Sequence, residues 1–226
     1  MREPQRTHGH KGRTHLNPHC RLLILSFVSF VSCVVMWPES MVRAALQTGP
    51  DSYRVRFDTT KGPIVIDVHR DWAPLAADRL YDLITSRYFD DTRFFRVVKG
   101  QWAQFGINGS PKVASGWRTR TIPDDPPKQS NTRGMVAFAF AVPNGRTTQV
   151  FISLRDNSNL DGQGFAPFGR VVEGMDVADA LNSEYGETSG GGIRAGKQDP
   201  LFAGGNAYLD ANYPRLDRLL TATLAK

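Results

Sequence analysis

The stretch SYRVRFDTTKGPIVIDVHR, Ser52 to Arg70, alternates apolar and polar residues on either side of the turn residues Lys61-Gly62-Pro63. Alternation with a period of two is typical of a strand that buries one face. Two such runs joined by a short turn predict a β-hairpin. The globular part of the chain is therefore expected to begin with an antiparallel pair of strands.

Outward from this hairpin the pattern predicts short strands and two helices. The further strands are Phe94–Val98, Trp102–Ile107, Met135–Ala141, Gln149–Leu154, Pro167–Val172 and Leu219–Leu224, and the helices are Pro74–Arg87 and Met175–Tyr185. Few strands read as continuously buried, which disfavours a layered parallel sheet. A mainly β fold follows, an antiparallel closed barrel capped by helices and closed by the last strand. The glycine-rich segment 188–205 lacks periodicity and predicts a long loop.

The N-terminal part differs in charge from the rest of the 226-residue chain. Residues 1–44 hold six Lys and Arg against two Asp and Glu, which is most of the net charge of +6. The remainder is nearly neutral, which excludes a basic nucleic-acid-binding surface. The apolar run Leu22–Trp37 lies between a basic leader and the small residues VRAA, as in an export signal cleaved after Ala44 or Ala45.

Residues 1–45 are therefore predicted to be an export signal, with an uncleaved membrane anchor as the alternative. Residues 46–226 are predicted to form one domain. The protein is expected to be exported, to the periplasm or the medium, or to be tethered to a membrane if the segment is uncleaved.

Cysteine and histidine are almost confined to the leader. Both cysteines, Cys20 and Cys33, lie there, and His69 is the one histidine beyond it. A mature chain without thiols has no disulfide, thiolate nucleophile or cysteine metal site. A zinc cluster or a hydrolase built around several imidazoles is also excluded. We expect neither a metal nor a cofactor.

One arginine stands out in the run FFRVVKGQWAQFG, Phe94 to Gly106. Arg96 carries a permanent charge and five donors, yet no acidic residue lies in this stretch. On a regular strand Arg96 would share a face with Phe94 and Val98, and Trp102 would share one with Gln104. The sequence therefore predicts a guanidinium beside a planar amide, at the edge of apolar surface.

Several motifs in order give the chain a resemblance to a known family. They are FFRVV, a glycine and Gln104, the alternating Ala and Phe run around Phe138–Phe140, Pro143-Asn144, TTQVFIS from Thr147, and LDGQGFAPFGRVVEGMDV from Leu160. Their order from Tyr53 to Asn182 resembles the cyclophilin-type peptidyl-prolyl cis-trans isomerases. The resemblance implies a closed eight-stranded antiparallel barrel with two α-helices and an outer groove for a proline-containing peptide. The chain from about residue 186 is an extension that the core family does not explain.

The resemblance also implies a role for individual residues. Arg96 matches the catalytic arginine, and Gln104 matches the amide that orients it. The implied substrate-binding residues are Ala139, Phe140, Gln149, Phe151 and Leu160, and Phe165 stands where the family has a pocket histidine. Gln101 and Trp102 replace a phenylalanine and a methionine at the pocket edge.

Two functions stay open at this stage. The first is an isomerase that accelerates X-Pro rotation in exported or unfolded polypeptides, working as a monomer without cofactor, metal or nucleic acid. The alternative is a proline-peptide binding or chaperone-like module in which Gln101 and Trp102 have weakened catalysis.

Overall fold

The computed structural model describes residues 47–186 and 197–225. The predicted leader, residues 1–45, lies outside these ranges, as does much of the glycine-rich segment. Within them the chain forms nine strands and four α-helices. In chain order they are β1 (Ser52–Thr59), β2 (Gly62–His69), α1 (Pro74–Thr85), β3 (Thr92–Arg93), β4 (Arg96–Val98), β5 (Trp102–Phe105), α2 (Pro111–Arg118), β6 (Met135–Phe138), β7 (Val150–Ser153), β8 (Pro167–Glu173), α3 (Met175–Asp179), α4 (Asp199–Asn212) and β9 (Arg218–Ala225), with a 3-10 helix at Ser158–Gln163.

The predicted hairpin is confirmed. β1 and β2 pair antiparallel from Ser52↔His69 to Thr59↔Gly62. Gly62 adopts a φ of 128°, a value that favours glycine and lets the chain reverse. The inward-facing side chains of the pair are fully buried, namely Val55, Phe57, Ile64, Ile66 and Val68.

The nine strands form one curled antiparallel sheet in the order β3-β9-β1-β2-β8-β6-β7-β5-β4. Its two edge strands, β3 and β4, are neighbours in sequence and are separated by Phe94 and Phe95 alone. Counted as one interrupted strand, they give the eight strands that the resemblance implies. The predicted last strand is confirmed, because β9 pairs with both β1 and β3.

The main core lies inside this sheet and is rich in aromatic rings. Phe105 is fully buried, and its ring centroid lies 5.4 Å from Phe57, 5.5 Å from Phe89 and 5.1 Å from Phe94. Helix α1 contributes an apolar stripe that includes Leu80 and Leu83. Close packing of large rings holds the strands that carry the candidate site.

Two helices were not predicted. Helix α2 follows β5, and α4 begins inside the segment that was predicted to be a loop. The predicted helix over Met175–Tyr185 is shorter than expected and ends at Asp179. None of the helices in the two described ranges is long and apolar enough to cross a membrane.

Helices α2 and α4 pack together around a second apolar cluster. Its buried members are Phe95, Ile107, Ala114, Leu201, Phe202, Leu209 and Leu216. Helix α4 is kinked at Gly205, whose φ is 56°, and a Cβ there would lie 2.1 Å from the Gly109 carbonyl oxygen. Because the glycine pair Gly204-Gly205 interrupts the apolar pattern, the sequence does not predict this helix. Tertiary packing stabilises it.

Candidate active site

Arg96 reaches the outer surface because its strand is interrupted. Phe94 and Val97 both pack in the main core, whereas Phe95 packs in the second cluster. Strict alternation from Phe94 would turn Arg96 inward, so the break between β3 and β4 places it on the outer face. The predicted face shared by Arg96 and Phe94 is therefore wrong, while Arg96 and Val98 do lie on one face of β4.

The guanidinium of Arg96 contacts the next strand. Arg96 pairs in register with Gln104, and Val98 pairs with Trp102. The Arg96 Nη1 donates a hydrogen bond to Gln104 Oε1 at 2.9 Å, and its Cζ lies 5.0 Å from the Trp102 ring centroid. The predicted guanidinium beside a planar amide is thus present, and an amide and an indole ring restrict its orientation.

A cavity of ≈ 380 Å³ opens beside this pair and brings most of the predicted site residues together. Nine of the ten line it, namely Arg96, Trp102, Gln104, Ala139, Phe140, Gln149, Phe151, Leu160 and Phe165. Aromatic rings form its apolar end, where the Phe165 centroid lies 4.4 Å from Phe140 and 5.6 Å from Phe151. Such a pocket can hold a compact apolar ring beside a fixed cation.

The structure places the tenth residue, Gln101, outside the cavity lining. Gln101 lies in the turn between β4 and β5, and its carbonyl oxygen accepts hydrogen bonds from Leu154 N and Asn157 Nδ2, each at 2.8 Å. The backbone of Gln101 therefore stabilises this turn and does not line the groove.

A buried arginine supports the aromatic wall from behind. Arg146 is 1% exposed, donates to the Asp124 carboxylate and the Gly164 carbonyl, and lies with Cζ 4.5 Å from the Phe140 ring centroid. Burial lowers the pKa of Arg146. Because one side chain contacts both Phe140 and the residue before Phe165, it fixes two walls together. Sequence reasoning gave no signal for this role.

Asp161 holds the loop that presents Leu160 and Phe165. Its carboxylate accepts hydrogen bonds from Ser130 Oγ at 2.5 Å and from the Asn131 backbone and side chain, each at 2.8 Å. Burial raises the pKa of Asp161, but these hydrogen bonds outweigh it, and the pKa lies below the usual aspartate value. The charged form of Asp161 therefore stabilises the folded loop.

This arrangement predicts an acid-dependent contribution to stability. A lowered folded-state pKa gives stabilisation that is present above the unfolded-state pKa of about 3.9 and is lost as the pH falls through the folded-state value. Asp161→Asn should therefore lower the free energy of unfolding by about 1–2 kcal/mol at pH 7, and by less near pH 2.5. Urea denaturation at both pH values, with the exposed Asp71→Asn as control, measures this. An equal deficit at both values would contradict it.

Seven lining residues were missed by sequence reasoning, and three of them belong to α2 and α4 or lie just before α4. Arg118 ends α2, Gln198 precedes the first turn of α4, and Phe202 lies on that turn. The Arg118 guanidinium lies 4.3 Å from the Phe202 ring centroid and pairs with Asp199 at 2.6 Å. Gln198 and Phe202 come with α4, whose glycine pair obscures its helical pattern, so the missing signal for these two residues was the presence of that helix.

No group of three or more His, Cys, Asp or Glu suited to hold a metal ion occurs within residues 47–186 and 197–225. The cavity instead offers a guanidinium, amides and apolar rings. An outer groove on an antiparallel barrel, with an apolar pocket beside a guanidinium, fits the class of peptide-binding barrel that the resemblance implies.

Comparison with known proteins agrees with this class. Residues 54–200 match the family described as cyclophilin type peptidyl-prolyl cis-trans isomerase/CLD. The chain is 31% identical over 157 residues to peptidyl-prolyl cis-trans isomerase B of Escherichia coli (strain K12). The match covers 66% of this chain and 95% of that protein. It is 30% identical over 144 residues to a peptidyl-prolyl cis-trans isomerase of Acinetobacter baylyi, which covers 58% of this chain and 75% of that protein.

The fold is also similar to a crystal structure of a Cryptosporidium parvum cyclophilin type isomerase, with a TM-score of 0.56 at 18% identity over 77% of this chain and 98% of that one. The chain belongs to the cyclophilin-type peptidyl-prolyl cis-trans isomerase family. Its activity is that of the family, the cis-trans isomerisation of prolyl bonds in proline-containing peptides. The alternative of a module that only binds is not favoured.

Proposed function

We propose that Arg96 accelerates rotation about the X-Pro bond by donating a hydrogen bond to the prolyl nitrogen. Rotation faces a barrier of about 18–20 kcal/mol because twisting removes the amide resonance. In the twisted state the nitrogen becomes pyramidal and regains a lone pair that can accept a hydrogen bond. A donor aimed at that lone pair binds the transition state better than either planar isomer, which is the condition for catalysis.

The observation that carries the proposal is the placement of the Arg96 guanidinium. It lines the cavity beside Phe151 and Leu160, and the Gln104 amide oxygen accepts from Nη1. A proline ring seated against the apolar wall would present its nitrogen to the rim where this cation lies. No bond is broken in the reaction, so positioning and one charge-assisted donor meet its chemical needs.

The energetic demand is modest. Uncatalysed exchange takes tens to hundreds of seconds. A turnover of about 10–1000 per second then requires roughly 4–7 kcal/mol of differential stabilisation. A charge-assisted hydrogen bond in a pocket that excludes water supplies a large part of this, since removal of one such donor typically costs about 3–4 kcal/mol.

The other cavity residues have supporting roles in this proposal. Gln104 orients Arg96, the rings of Phe151 and Phe165 hold the proline with Leu160, and the segment Ala139–Phe140 holds the peptide backbone. Ala139 N already donates to the Gln149 carbonyl at 2.9 Å, so this segment continues the ladder beyond β6. An extended peptide laid along it would follow the direction of the neighbouring strands.

Exchange spectroscopy tests the function directly. The peptide acetyl-Ala-Ala-Pro-Ala-Ala-amide should show cis-trans exchange at about 10–1000 per second when bound to the domain from residue 46, against about 0.01 per second when free. Chemical-shift changes that report binding without exchange cross-peaks would contradict the proposal.

We propose further that the protein acts on exported or unfolded polypeptides, and that residues 1–45 direct or anchor it outside the cytoplasm. The apolar run Leu22–Trp37 and the exit sequence VRAA support this. Gln47 and Gly49 already contact α1, through Thr85 Oγ1 at 3.3 Å and the Asp78 carboxylate at 3.0 Å. A chain cut after Ala44 or Ala45 would keep both contacts and the whole domain, which we expect to be a monomer.

The N-terminal sequence of the protein isolated from its host tests the export proposal. A mature chain that starts at Ala45 or Leu46 in the exported fraction is expected. A full-length chain in the membrane fraction would favour the anchor, and a full-length soluble chain in the cytoplasm would contradict both.

A further inference from the structure

The C-terminal extension contributes two walls of the groove. Gln198 and Phe202 line the cavity from the start of α4, beside Gln149. The residues of the predicted proline pocket, Phe151, Leu160 and Phe165, all lie outside this helix. The helix instead narrows one end of the same cavity.

An amide pair attaches this wall to the groove. Gln149 Nε2 donates to Gln198 Oε1 at 2.8 Å, and Gln198 Nε2 donates to Gln149 Oε1 at 3.0 Å. Gln149 Oε1 also accepts from Gln104 Nε2 at 2.9 Å, and Gln104 in turn accepts from Arg96. A continuous chain of amides therefore joins the extension to the guanidinium, so Gln198 lies at a defined place in the groove.

Helix α4 is also held from its outer side. Asn206 N donates to the Gly109 carbonyl at 3.0 Å, and Asn206 Nδ2 donates to the Asp91 carbonyl at 2.8 Å. Phe202 is 8% exposed and packs in the second cluster with Phe95, the residue before Arg96. Apolar packing and backbone hydrogen bonds at several points make the wall a fixed part of the fold.

Strand geometry indicates which part of a peptide meets this wall. Gln149 precedes Phe151 by two residues, so the two side chains lie on one face, roughly 6.6 Å apart. An extended peptide also repeats its side chains on one face every two residues, over the same distance. A proline seated at Phe151 thus places the side chain two residues away beside Gln149 and Gln198.

We propose that Gln198 and Phe202 are specificity-determining residues, which restrict the site to peptides with a small side chain two residues from the proline. The ≈ 380 Å³ cavity must hold the proline ring and this second side chain together. A large side chain would have to displace the Gln149–Gln198 pair or the Phe202 ring. This inference rests on the proposed seat of the proline, and it adds a substrate class to it.

Two peptide series test the inference. Acetyl-Xaa-Ala-Pro-Ala-Ala-amide and acetyl-Ala-Ala-Pro-Ala-Xaa-amide, with Xaa as Ala, Leu or Trp, are compared by exchange rate and by dissociation constant. In one of the two series, the wild type should show an exchange rate or an affinity at least about tenfold lower with Trp than with Ala. This Ala-to-Trp ratio is on the scale of steric discrimination in a closed apolar pocket. Gln198→Ala should reduce that ratio to about threefold or less.

Two further variants distinguish an effect of the cavity wall on selectivity from a loss of helix α4. Phe202→Leu retains apolar packing while shortening the wall, and should also reduce the ratio. Asn212→Ala removes an exposed amide at the far end of α4 and should leave the ratio as in the wild type. Thermal unfolding of each variant checks that the domain remains folded with the stability of the wild type.

The outcomes distinguish this inference from the proposed function. The inference would be overturned if the wild type bound and isomerised the Ala and Trp peptides equally well in both series. It would also be overturned if Gln198→Ala and Phe202→Leu left the Ala-to-Trp ratio unchanged. Absence of exchange with every peptide would overturn the catalytic proposal alone, since the dissociation constants still report the selectivity.

Discussion

Arg96→Ala is expected to lower kcat/KM for a proline peptide by about 100- to 1000-fold. The change removes the guanidinium that donates to the Gln104 amide and lines the apolar pocket. It leaves the rings of Phe151 and Phe165 in place, so peptide affinity should fall far less than turnover. Exchange spectroscopy and binding titration on the same peptide separate the two quantities.

Arg56→Ala is the matched control for this change. Arg56 is an exposed arginine on β1, and it pairs with Asp58 away from the cavity. Its replacement should leave kcat/KM within about twofold of the wild type, because Arg56 does not line the cavity and its exposed ion pair contributes little to stability. An Arg96→Ala protein that retained wild-type turnover would exclude the proposed hydrogen bond to nitrogen.

Phe105→Ala is expected to lower the free energy of unfolding by about 3–5 kcal/mol. Phe105 is fully buried against Phe57, Phe89 and Phe94, so its loss leaves a cavity between β1, β5, the break between β3 and β4, and the loop after α1. Urea denaturation measures the loss. Val142→Ala, at a side chain that is 61% exposed, should change stability by less than about 0.5 kcal/mol.

The Phe105 change also tests whether the core supports the site. Gln104 precedes Phe105 on β5 and contacts Arg96, so a loosened β5 would release the amide from the guanidinium. We expect the folded fraction of Phe105→Ala to show reduced turnover as well as reduced stability. A stability equal to that of Val142→Ala would contradict the description of the core.

The hairpin and the closing strand could be predicted because local pattern and tertiary environment agree there. β1 alternates buried and exposed residues, β2 buries Ile64, Ile66 and Val68 on its inward face, and β9 buries Leu219 and Ala222. The order of motifs also identified ten candidate residues, and nine of them line the cavity. Four of them, Arg96, Trp102, Gln104 and Phe151, lie on strands, and the others lie within the motifs that carry the resemblance.

The rest depends on contacts that a linear pattern does not contain. The break at Phe94-Phe95 reverses the side on which Arg96 emerges, and alternation alone placed it with Phe94. Helix α4 contains Gly204-Gly205 and forms because Leu201, Phe202 and Leu209 pack against α2 and Phe95. Gln198 joins the site only through that helix, so its role could not be found before the helix was known.

A crystal structure of the domain with acetyl-Ala-Ala-Pro-Ala-Ala-amide tests the central claim most directly. The proline ring should lie against Phe151, Leu160 and Phe165, with a guanidinium nitrogen of Arg96 about 3–3.5 Å from the prolyl nitrogen. A proline bound elsewhere on the barrel, or a guanidinium turned away from the prolyl nitrogen, would contradict it.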